Sequence, residues 1–238
     1  MAIEVVFAIS VAANIIALLI GSYVLIKKDV LGIVRKQINK PNNQSTIFGE
    51  HYDFKLDFFE RMPARSEELI FLGDSLTAMC NWNELLSKQN LKNRGISGDT
   101  IKGVINRLDE VIRFQPKKIF LMIGINDLGN KKSVDQILND YETLVSLILK
   151  KAPNTKLYIQ SLLPTYDQPT RRNIDIININ KRLSQLSDEH KLIFINLFDT
   201  FKTKENTLNR ELSYDGLHIN AEGYLLWKKA ITNYVANE

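Results

Sequence analysis

Short apolar runs alternate with longer amphipathic segments from about position 69 to the C-terminus. A short apolar run bounded by turn residues is typical of a strand buried on both faces. Five runs fit this description: Leu69–Leu72, Leu91–Gly95, Lys118–Ile123, Lys156–Leu162 and Leu192–Asn196. The segments between them predict helices over Leu76–Lys88, Thr100–Phe114, Val134–Ala152 and Ile174–Glu189, with a last helix from Ala221 to about Val235. Strands that alternate with helices predict an α/β fold, a three-layer α/β/α sandwich around a five-stranded parallel sheet.

A different pattern occupies the N-terminus, where Val5 to Ile26 is almost continuously apolar. As a helix this segment would span about 33 Å, and the hydrocarbon core of a bilayer is about 30 Å thick. A cleaved signal peptide would carry a basic N-terminal region, whereas Glu4 is the only charged side chain before the apolar run. We therefore predict an uncleaved, single-pass transmembrane helix in residues 1–28. A helix buried in a protein core is the alternative.

The charge of the chain is concentrated beside this apolar segment. The 238 residues have a formal net charge of +4. The basic side chains that follow the apolar run are Lys27, Lys28, Arg35, Lys36 and Lys40, with Asp29 as the one acid among them. A basic flank favours contact with lipid headgroups and, by the positive-inside rule, a cytoplasmic location for the following domain. A nucleic-acid-binding protein would carry its basic excess on the folded domain, so no nucleic-acid partner is expected.

Two further regions complete the predicted organisation. Residues 29–50 are predicted to be a basic juxtamembrane segment and linker, because polar residues and Pro41 interrupt any regular pattern there. Residues 51–238 form the third region, which contains the predicted sheet and begins with an amphipathic helix from Tyr52 to Met62. The single cysteine, Cys80, excludes an intrachain disulfide and a cysteine-rich zinc site.

Polar residues follow the predicted strands at the ends that lead into helices. The first strand runs into a Gly-Asp-Ser segment that ends in Ser75, the second is followed by Gly98, and the third by Asn126. Near the C-terminus Asp215 stands three residues before His218. Because the carboxyl ends of parallel strands meet at one edge of a sheet, where open α/β sheets bind ligands, we expect these segments to converge.

These residue types supply what a serine nucleophile needs. His218 can act as a base near neutral pH, Asp215 can orient its ring, and N–H groups of Ser75, Gly98 and Asn126 can bind an oxyanion. Taken singly, each has an ordinary explanation, such as a turn glycine, a turn asparagine or a surface histidine. Their occurrence together at separate loops favours a hydrolytic site.

The same motifs carry a family resemblance. Phe71–Ser75, Arg94–Thr100, Ile123–Asp127 and Asp215-x-x-His218 resemble the SGNH hydrolase superfamily, also called GDSL esterases and lipases. The similarity is closest to its platelet-activating-factor-acetylhydrolase-like bacterial branch, and the four blocks occur in the family's order between about Tyr52 and the C-terminus.

The resemblance implies a flavodoxin-like sandwich that needs neither a metal nor an organic cofactor. It also implies catalytic residues Ser75, Asp215 and His218, and an oxyanion hole formed by Ser75, Gly98 and Asn126. The predicted transmembrane segment lies outside the part of the chain that resembles the family.

The expected function is that of a membrane-anchored serine esterase acting on small-molecule or lipid esters. The substrate stays open between a lipid or lysophospholipid acyl or acetyl ester and an acetyl group on a glycan. Leu162, Leu163, Pro164 and Tyr166 either line the acyl side of the site or belong to the packing. A non-catalytic, membrane-bound binding domain is the alternative from another class, because a fold does not determine a function.

Overall fold

The computed structural model describes Asn14, Tyr23 and residues 49–63, 68–113 and 115–236, which include most of the C-terminal part of the chain. By contacts between Cα atoms the chain divides into two units, Met1–Ile47 and Phe48–Glu238. The second unit contains the sheet and the candidate site.

The membrane prediction concerns residues that are almost all outside this description. Apart from Asn14 and Tyr23, the predicted transmembrane helix lies outside the described residues, and so do Lys27, Lys28, Arg35, Lys36 and Lys40. Among the residues that the structure describes, no helix is both long enough and apolar enough to cross a membrane.

Five parallel strands form the centre of the second unit. They are β1 (Leu69–Gly73), β2 (Leu91–Gly95), β3 (Lys118–Met122), β4 (Lys156–Gln160) and β5 (Ile193–Ile195). The strand order is β2-β1-β3-β4-β5, and all neighbouring pairs are parallel. Every residue of β1 and β3 is buried, which requires cover on both faces of the sheet. The structure therefore confirms the predicted α/β fold with a five-stranded parallel sheet.

The helices fall into long amphipathic elements and short pieces next to strand ends. In chain order they are α1 (Glu50–Arg61), α2 (Ser75–Ala78), α3 (Trp82–Leu86), α4 (Ile101–Asn106), α5 (Leu108–Ile112), α6 (Ile125–Gly129), α7 (Val134–Lys151), α8 (Asn173–Glu189), α9 (Phe198–Phe201) and α10 (Ala221–Ala236), with a 3₁₀ turn at Arg210–Leu212. Helices α4, α5, α6 and α8 each pack against α7, while α3 and α9 pack against α10.

An aromatic stack fixes the face of the sheet that α3 and α10 cover. Phe71, Phe120 and Tyr158 stand side by side on three adjacent strands, with ring centroids 4.9 and 4.6 Å apart. Trp82 of α3 stacks on Phe71 at 4.0 Å, and Trp227 of α10 meets Trp82 edge-on at 5.1 Å. Large aromatic rings bury much apolar surface each, so this stack packs β1 against its neighbouring strand β3 and against α3.

Two predicted helices are each broken into two pieces. Leu76–Lys88 is wrong as a single helix, because the Asn93 side chain of β2 donates to the carbonyls of Thr77, Ala78 and Cys80 at 2.9–3.2 Å. Those carbonyls would otherwise accept helical hydrogen bonds, so α2 ends after one turn. The predicted helix Thr100–Phe114 is likewise interrupted, at Arg107 (φ −105°, ψ 14°), whose side chain reaches back to the carbonyl of Arg94 at 2.8 Å.

Several element boundaries also differ from the sequence prediction by one or two residues. Strand β4 ends at Gln160 rather than Leu162, because the N–H and carbonyl of Leu162 both bond to the Asn180 side chain of α8.

In α1 the predicted apolar stripe is only partly buried. Tyr52 and Phe59 pack in a small cluster with Ile96, while Phe58 is exposed.

Candidate active site

Ser75 follows β1, the strand that lies between β2 and β3 in the sheet. Gly73, the last residue of β1, pairs with Gly95 of β2 on one side and Met122 of β3 on the other. The chain then turns into α2, with Asp74 as the N-cap whose carboxylate accepts from the Leu76 N–H at 3.0 Å. Ser75 is therefore the first residue of a capped helix, and its backbone N–H is one of the groups that a helix leaves without an internal acceptor.

His218 meets Ser75 across the rim of the sheet. The Ser75 Oγ lies 3.0 Å from the His218 Nε2, although 143 positions separate the two residues in the sequence. The His218 Nδ1 in turn lies 2.6 Å from the Asp215 Oδ2. Because a carboxylate only accepts hydrogen bonds, Nδ1 carries the proton and Nε2 is left to accept from the Ser75 hydroxyl.

The loop around Asp215 is held by its own hydrogen bonds. Asp215 Oδ1 accepts from the N–H groups of Leu217 and His218 at 2.9 and 2.7 Å, which leaves Oδ2 for the imidazole. The Ser213 hydroxyl donates to the His218 carbonyl at 2.6 Å and accepts from the Gly216 N–H at 3.0 Å. The three-residue spacing between Asp215 and His218 thus forms one closed turn that presents the ring to Ser75.

The Asp215 carboxyl is ionised in this arrangement. Partial burial acts to raise its pKa, but the hydrogen bonds from the His218 ring and from two backbone N–H groups outweigh burial and lower the pKa to about 2. An ionised carboxylate at this position stabilises an imidazolium when His218 takes a proton.

Gly98 lies in the loop after β2 and Asn126 is the second residue of α6, just after β3, so the two follow the strands on either side of β1. Gly98 is exposed with φ +80°, and a Cβ added there would have no heavy atom within 4 Å, so its backbone faces open space. The half-buried Asn126 donates one Nδ2 hydrogen to the Asp99 carbonyl at 3.0 Å, which joins the loop after β3 to the loop after β2. Its second Nδ2 hydrogen is available for another acceptor.

Three acidic residues next to Ser75, Gly98 and Asn126 in the sequence are buried, namely Asp74, Asp99 and Asp127. Asp99 pairs with the fully buried Arg107 at 2.9 Å. Asp127 accepts from the Ile101 N–H at 3.0 Å and pairs with Lys132 at 2.6 Å. Sequence reasoning named these acids only as parts of motifs, because nothing in the local pattern reports that they are buried side by side.

Asp74 differs from the other two acids because one of its oxygens is buried with no hydrogen-bond partner. Burial raises the pKa of the Asp74 carboxyl to about 7, and the charges of Asp99 and Asp127 act in the same direction. Burial likewise raises the pKa of Asp99 to about 6, against the opposing effect of Arg107. Burial thus disfavours the ionised forms of Asp74 and Asp99.

The segment after β4 supports the Asp215 loop. Leu162 and Leu163 are buried in the core, which favours packing over a place on the acyl side of the site. Tyr166 is half-buried, donates its hydroxyl to the Ser213 carbonyl at 3.0 Å and bonds through its N–H to the Gly216 carbonyl at 3.0 Å. Gln168 donates to the Asp215 carbonyl at 3.0 Å.

One cavity of about 540 Å³ lies near this segment, and another of about the same volume lies at the edge of the sheet. One is lined by residues of the Thr165–Asn173 stretch with Thr207 and Arg210. The other lies between α8 and β5 and is lined by Ile177, Phe194 and Phe198 among others. Across the residues that the structure describes, no three His, Cys, Asp or Glu side chains are grouped as ligands for a metal ion would be.

Comparison with known proteins gives consistent matches over the domain. The model of the GDSL-like Lipase/Acylhydrolase family matches residues 71–226. Platelet-activating factor acetylhydrolase IB subunit alpha2 of Homo sapiens is 28% identical over 184 residues, which cover 74% of this chain and 77% of that protein. The alpha1 subunit of Bos taurus is 26% identical over 181 residues, or 73% of this chain and 75% of its own length.

Solved structures agree with the observed architecture. A GDSL-like lipase from Bacteroides thetaiotaomicron superposes with a TM-score of 0.68 at 22% identity, covering 77% of this chain and 96% of that one. A catalytic mutant of an acetylxylan esterase from Geobacillus stearothermophilus gives a TM-score of 0.59 at 21% identity, covering 74% and 97%. At these identities the two similarities establish a shared fold only.

Proposed function

We propose, from the premise that this chain belongs to the GDSL-like lipase/acylhydrolase family, that Ser75, His218 and Asp215 hydrolyse carboxylic esters through an acyl-enzyme. The family match confirms the resemblance drawn from the motifs, and it makes the protein a carboxylic ester hydrolase. The observation that carries the residue roles is the continuous hydrogen-bonded series from the Ser75 hydroxyl through His218 to Asp215, at 3.0 and 2.6 Å.

In the first half of the reaction, Ser75 Oγ attacks the ester carbonyl carbon while His218 Nε2 takes the hydroxyl proton. The carbon–oxygen bond to the alcohol then breaks, and the imidazolium returns the proton to the departing alkoxide. Water repeats the sequence on the acyl-enzyme, with His218 again as base, and releases the acid and the free Ser75 hydroxyl. Asp215 stays ionised throughout and stabilises the imidazolium at each stage.

Three N–H groups are assigned to the oxyanion that forms during each attack. Their sources are the Ser75 backbone at the start of α2, the Gly98 backbone and the free Nδ2 hydrogen of Asn126. Donors already in place when charge develops lower the barrier because they need no reorganisation at that moment. What supports these assignments is the exposed backbone of Gly98 and the fixed amide of Asn126.

For the substrate we favour a lipid or lysophospholipid acyl or acetyl ester, with a glycan O-acetyl group as the second candidate. The names of the relatives support the first, since they are platelet-activating factor acetylhydrolases. The acetylxylan esterase that shares the fold is the observation in favour of the second. Rates on p-nitrophenyl acetate, butyrate and octanoate, set beside acetate release from an acetylated oligosaccharide, separate the two.

We also propose that residues 1–28 anchor the enzyme in a membrane, with the basic side chains at Lys27, Lys28, Arg35, Lys36 and Lys40 against lipid headgroups. The support is the apolar run from Val5 to Ile26 and the positive charge that follows it. By the positive-inside rule the hydrolase domain faces the cytoplasm. Protease added to intact cells should then leave the domain uncut, and cleavage before lysis would refute the orientation.

The test of the proposed function is ester turnover by the full chain and by Ser75→Ala. The wild type should hydrolyse p-nitrophenyl esters, and Ser75→Ala should show no enzymatic turnover at the same concentration. Substitution of another serine near the site but outside these contacts, Ser97→Ala, is the control and should stay active. Equal rates for wild type and Ser75→Ala would refute the nucleophile, and an inactive wild type on every ester would favour a non-catalytic binding domain.

A further inference from the structure

Arg171 places its guanidinium beside the Asn126 amide. Arg171 Nη2 lies 3.4 Å from Asn126 Oδ1, and its Nε donates to the Ile125 carbonyl at 3.2 Å. A Cβ added at Gly129, one turn further along α6, would collide with the same guanidinium. The side chain is therefore seated against α6, and its position depends on the glycine there.

The acceptors around Arg171 are neutral. Its hydrogen bonds go to the Ile125 carbonyl, the Asn126 amide and, at 3.5 Å, the Gln168 side chain. The nearby Arg172 and Arg210 instead pair with Asp175 at 2.7 Å and Asp167 at 3.0 Å. Within residues 49–63, 68–113 and 115–236, no carboxylate forms an ion pair with Arg171. Its positive charge is therefore not cancelled by a direct partner, and it stands next to a predicted oxyanion donor.

The contacts of Asn126 also decide which way its amide points. Nδ2 faces the Asp99 carbonyl and Oδ1 faces the Arg171 guanidinium. A flipped amide would set its NH₂ against a cation and its oxygen against a carbonyl oxygen, so two attractive contacts would become repulsive. A cation on the amide oxygen also polarises the group and makes its N–H a stronger donor.

We infer that Arg171 is a positioning residue for ester hydrolysis, which holds and polarises the Asn126 amide so that its free N–H meets the oxyanion. The inference rests on the proposed function of the site. The effect belongs to the transition state, because the negative charge that the amide meets exists only there. Arg171 should therefore act on kcat far more than on KM.

The test compares Arg171→Met with Arg172→Met, a matched arginine next in the chain that pairs with Asp175. Arg171→Met should lower kcat on p-nitrophenyl acetate roughly 10-fold, below the loss of about 10²- to 10³-fold that removal of the Asn126 donor itself should give. KM should change less than about 3-fold, and Arg172→Met should match the wild type. Added guanidinium ion at low millimolar concentration should restore part of the Arg171→Met rate and leave the wild type unaffected.

A double-mutant cycle separates action through Asn126 from general damage to the fold. In an Asn126→Ala background, Arg171→Met should produce no further loss of kcat. Gly129→Ala, which displaces the guanidinium without deleting it, should lower kcat in the wild type and have no added effect in Arg171→Met. If Arg171→Met does not fold, this glycine substitution decides the question.

The outcomes keep this inference apart from the proposed function. If the wild type is active and both Arg171→Met and Gly129→Ala keep the full rate, the inference is overturned and the esterase assignment stays intact. An equal loss from Arg171→Met with and without Asn126 would also overturn it, because the effect would not pass through the amide. A wild type without esterase activity would instead refute the proposed function.

Discussion

Substitution of Asp215 by asparagine should trap His218 in the unproductive tautomer. Asp215 Oδ1 accepts from the N–H groups of Leu217 and His218, while Oδ2 faces His218 Nδ1. In Asp215→Asn the amide oxygen can keep both backbone bonds, which puts the NH₂ opposite Nδ1. The imidazole must then accept at Nδ1 and carry its proton on Nε2, where it faces the Ser75 hydroxyl and cannot act as a base.

The size of the loss in kcat follows from the hydrogen bonds that Asp215→Asn would have to break to restore the productive tautomer of His218. To restore the productive tautomer, the asparagine must flip and turn its NH₂ toward two backbone N–H groups. Leaving two donors unmet costs about 1–3 kcal/mol each, or about 2–6 kcal/mol in total. At about 1.4 kcal/mol per factor of ten, kcat should fall by roughly 30- to 10⁴-fold. The loss for the equivalent substitution in a serine protease triad is about 10⁴-fold, at the upper end of this range.

The assay is p-nitrophenyl acetate hydrolysis at neutral pH, with Asp167→Asn as the matched control. Asp167 lies on the neighbouring loop and pairs with Arg210 where both side chains are about 70% exposed, so its substitution should leave the rate unchanged. Both variants should fold, since the backbone bonds of the loop persist in Asp215→Asn. A loss of less than about 10-fold for Asp215→Asn would refute the tautomer argument.

Three shorter predictions concern single positions. Asn126→Ala should lower kcat about 10²- to 10³-fold with little change in KM, and an unchanged kcat would remove this amide from the mechanism. Gly98→Ala should destabilise the fold by about 1–2 kcal/mol, measured by urea unfolding, because its φ of +80° strains any residue with a Cβ. Burial raises the pKa of Asp74 from 3.8 to about 7, so with rising pH the unfolded state loses this proton before the folded state does. Stability should therefore fall from about pH 4 to pH 7 and level off above that. Asp74→Asn should gain roughly 1–3 kcal/mol on the wild type between pH 5 and 8, and a pH-independent difference would contradict this.

The sheet could be predicted from local patterns because each strand carries its own signal. The run Leu69–Leu72 is apolar at every position, as a central parallel strand must be, and it forms β1 with no exposed residue. The long helices were predictable for the same reason, since α7 and α8 each place an apolar stripe at helical spacing on a buried face. The spacing of apolar residues along the chain shows which positions are buried, so strands and helices with a buried face can be predicted from it.

The broken helix after Ser75 could not be predicted, because its cause lies elsewhere in the chain. Residues 76–88 have an acceptable helical pattern, and the interruption comes from the Asn93 side chain, which binds three carbonyls of this segment from the next strand. Tertiary hydrogen bonds of this kind leave no trace in local periodicity.

For the site, the sequence pointed to the side chains that we propose as catalytic and gave no signal for the side chains that contact them. Ser75, Asp215 and His218 stand out in the sequence because a serine nucleophile needs a base and a group that orients the base. The structure brings all three side chains into contact. Arg171 gave no signal, since Arg171 and Arg172 are equivalent in the sequence and only the fold places one of them against Asn126. The unpartnered oxygen of Asp74 likewise becomes apparent only when its surroundings are known.

Covalent labelling of the full chain with a fluorophosphonate tests the central claim most directly, because the reagent reacts with a serine that a neighbouring base has activated. One label per chain should form, and peptide mass analysis should locate it on Ser75. Ser75→Ala should take up no label, and His218→Ala should label far more slowly than the wild type. A label on another residue, or uptake by Ser75→Ala equal to that of the wild type, would contradict the account.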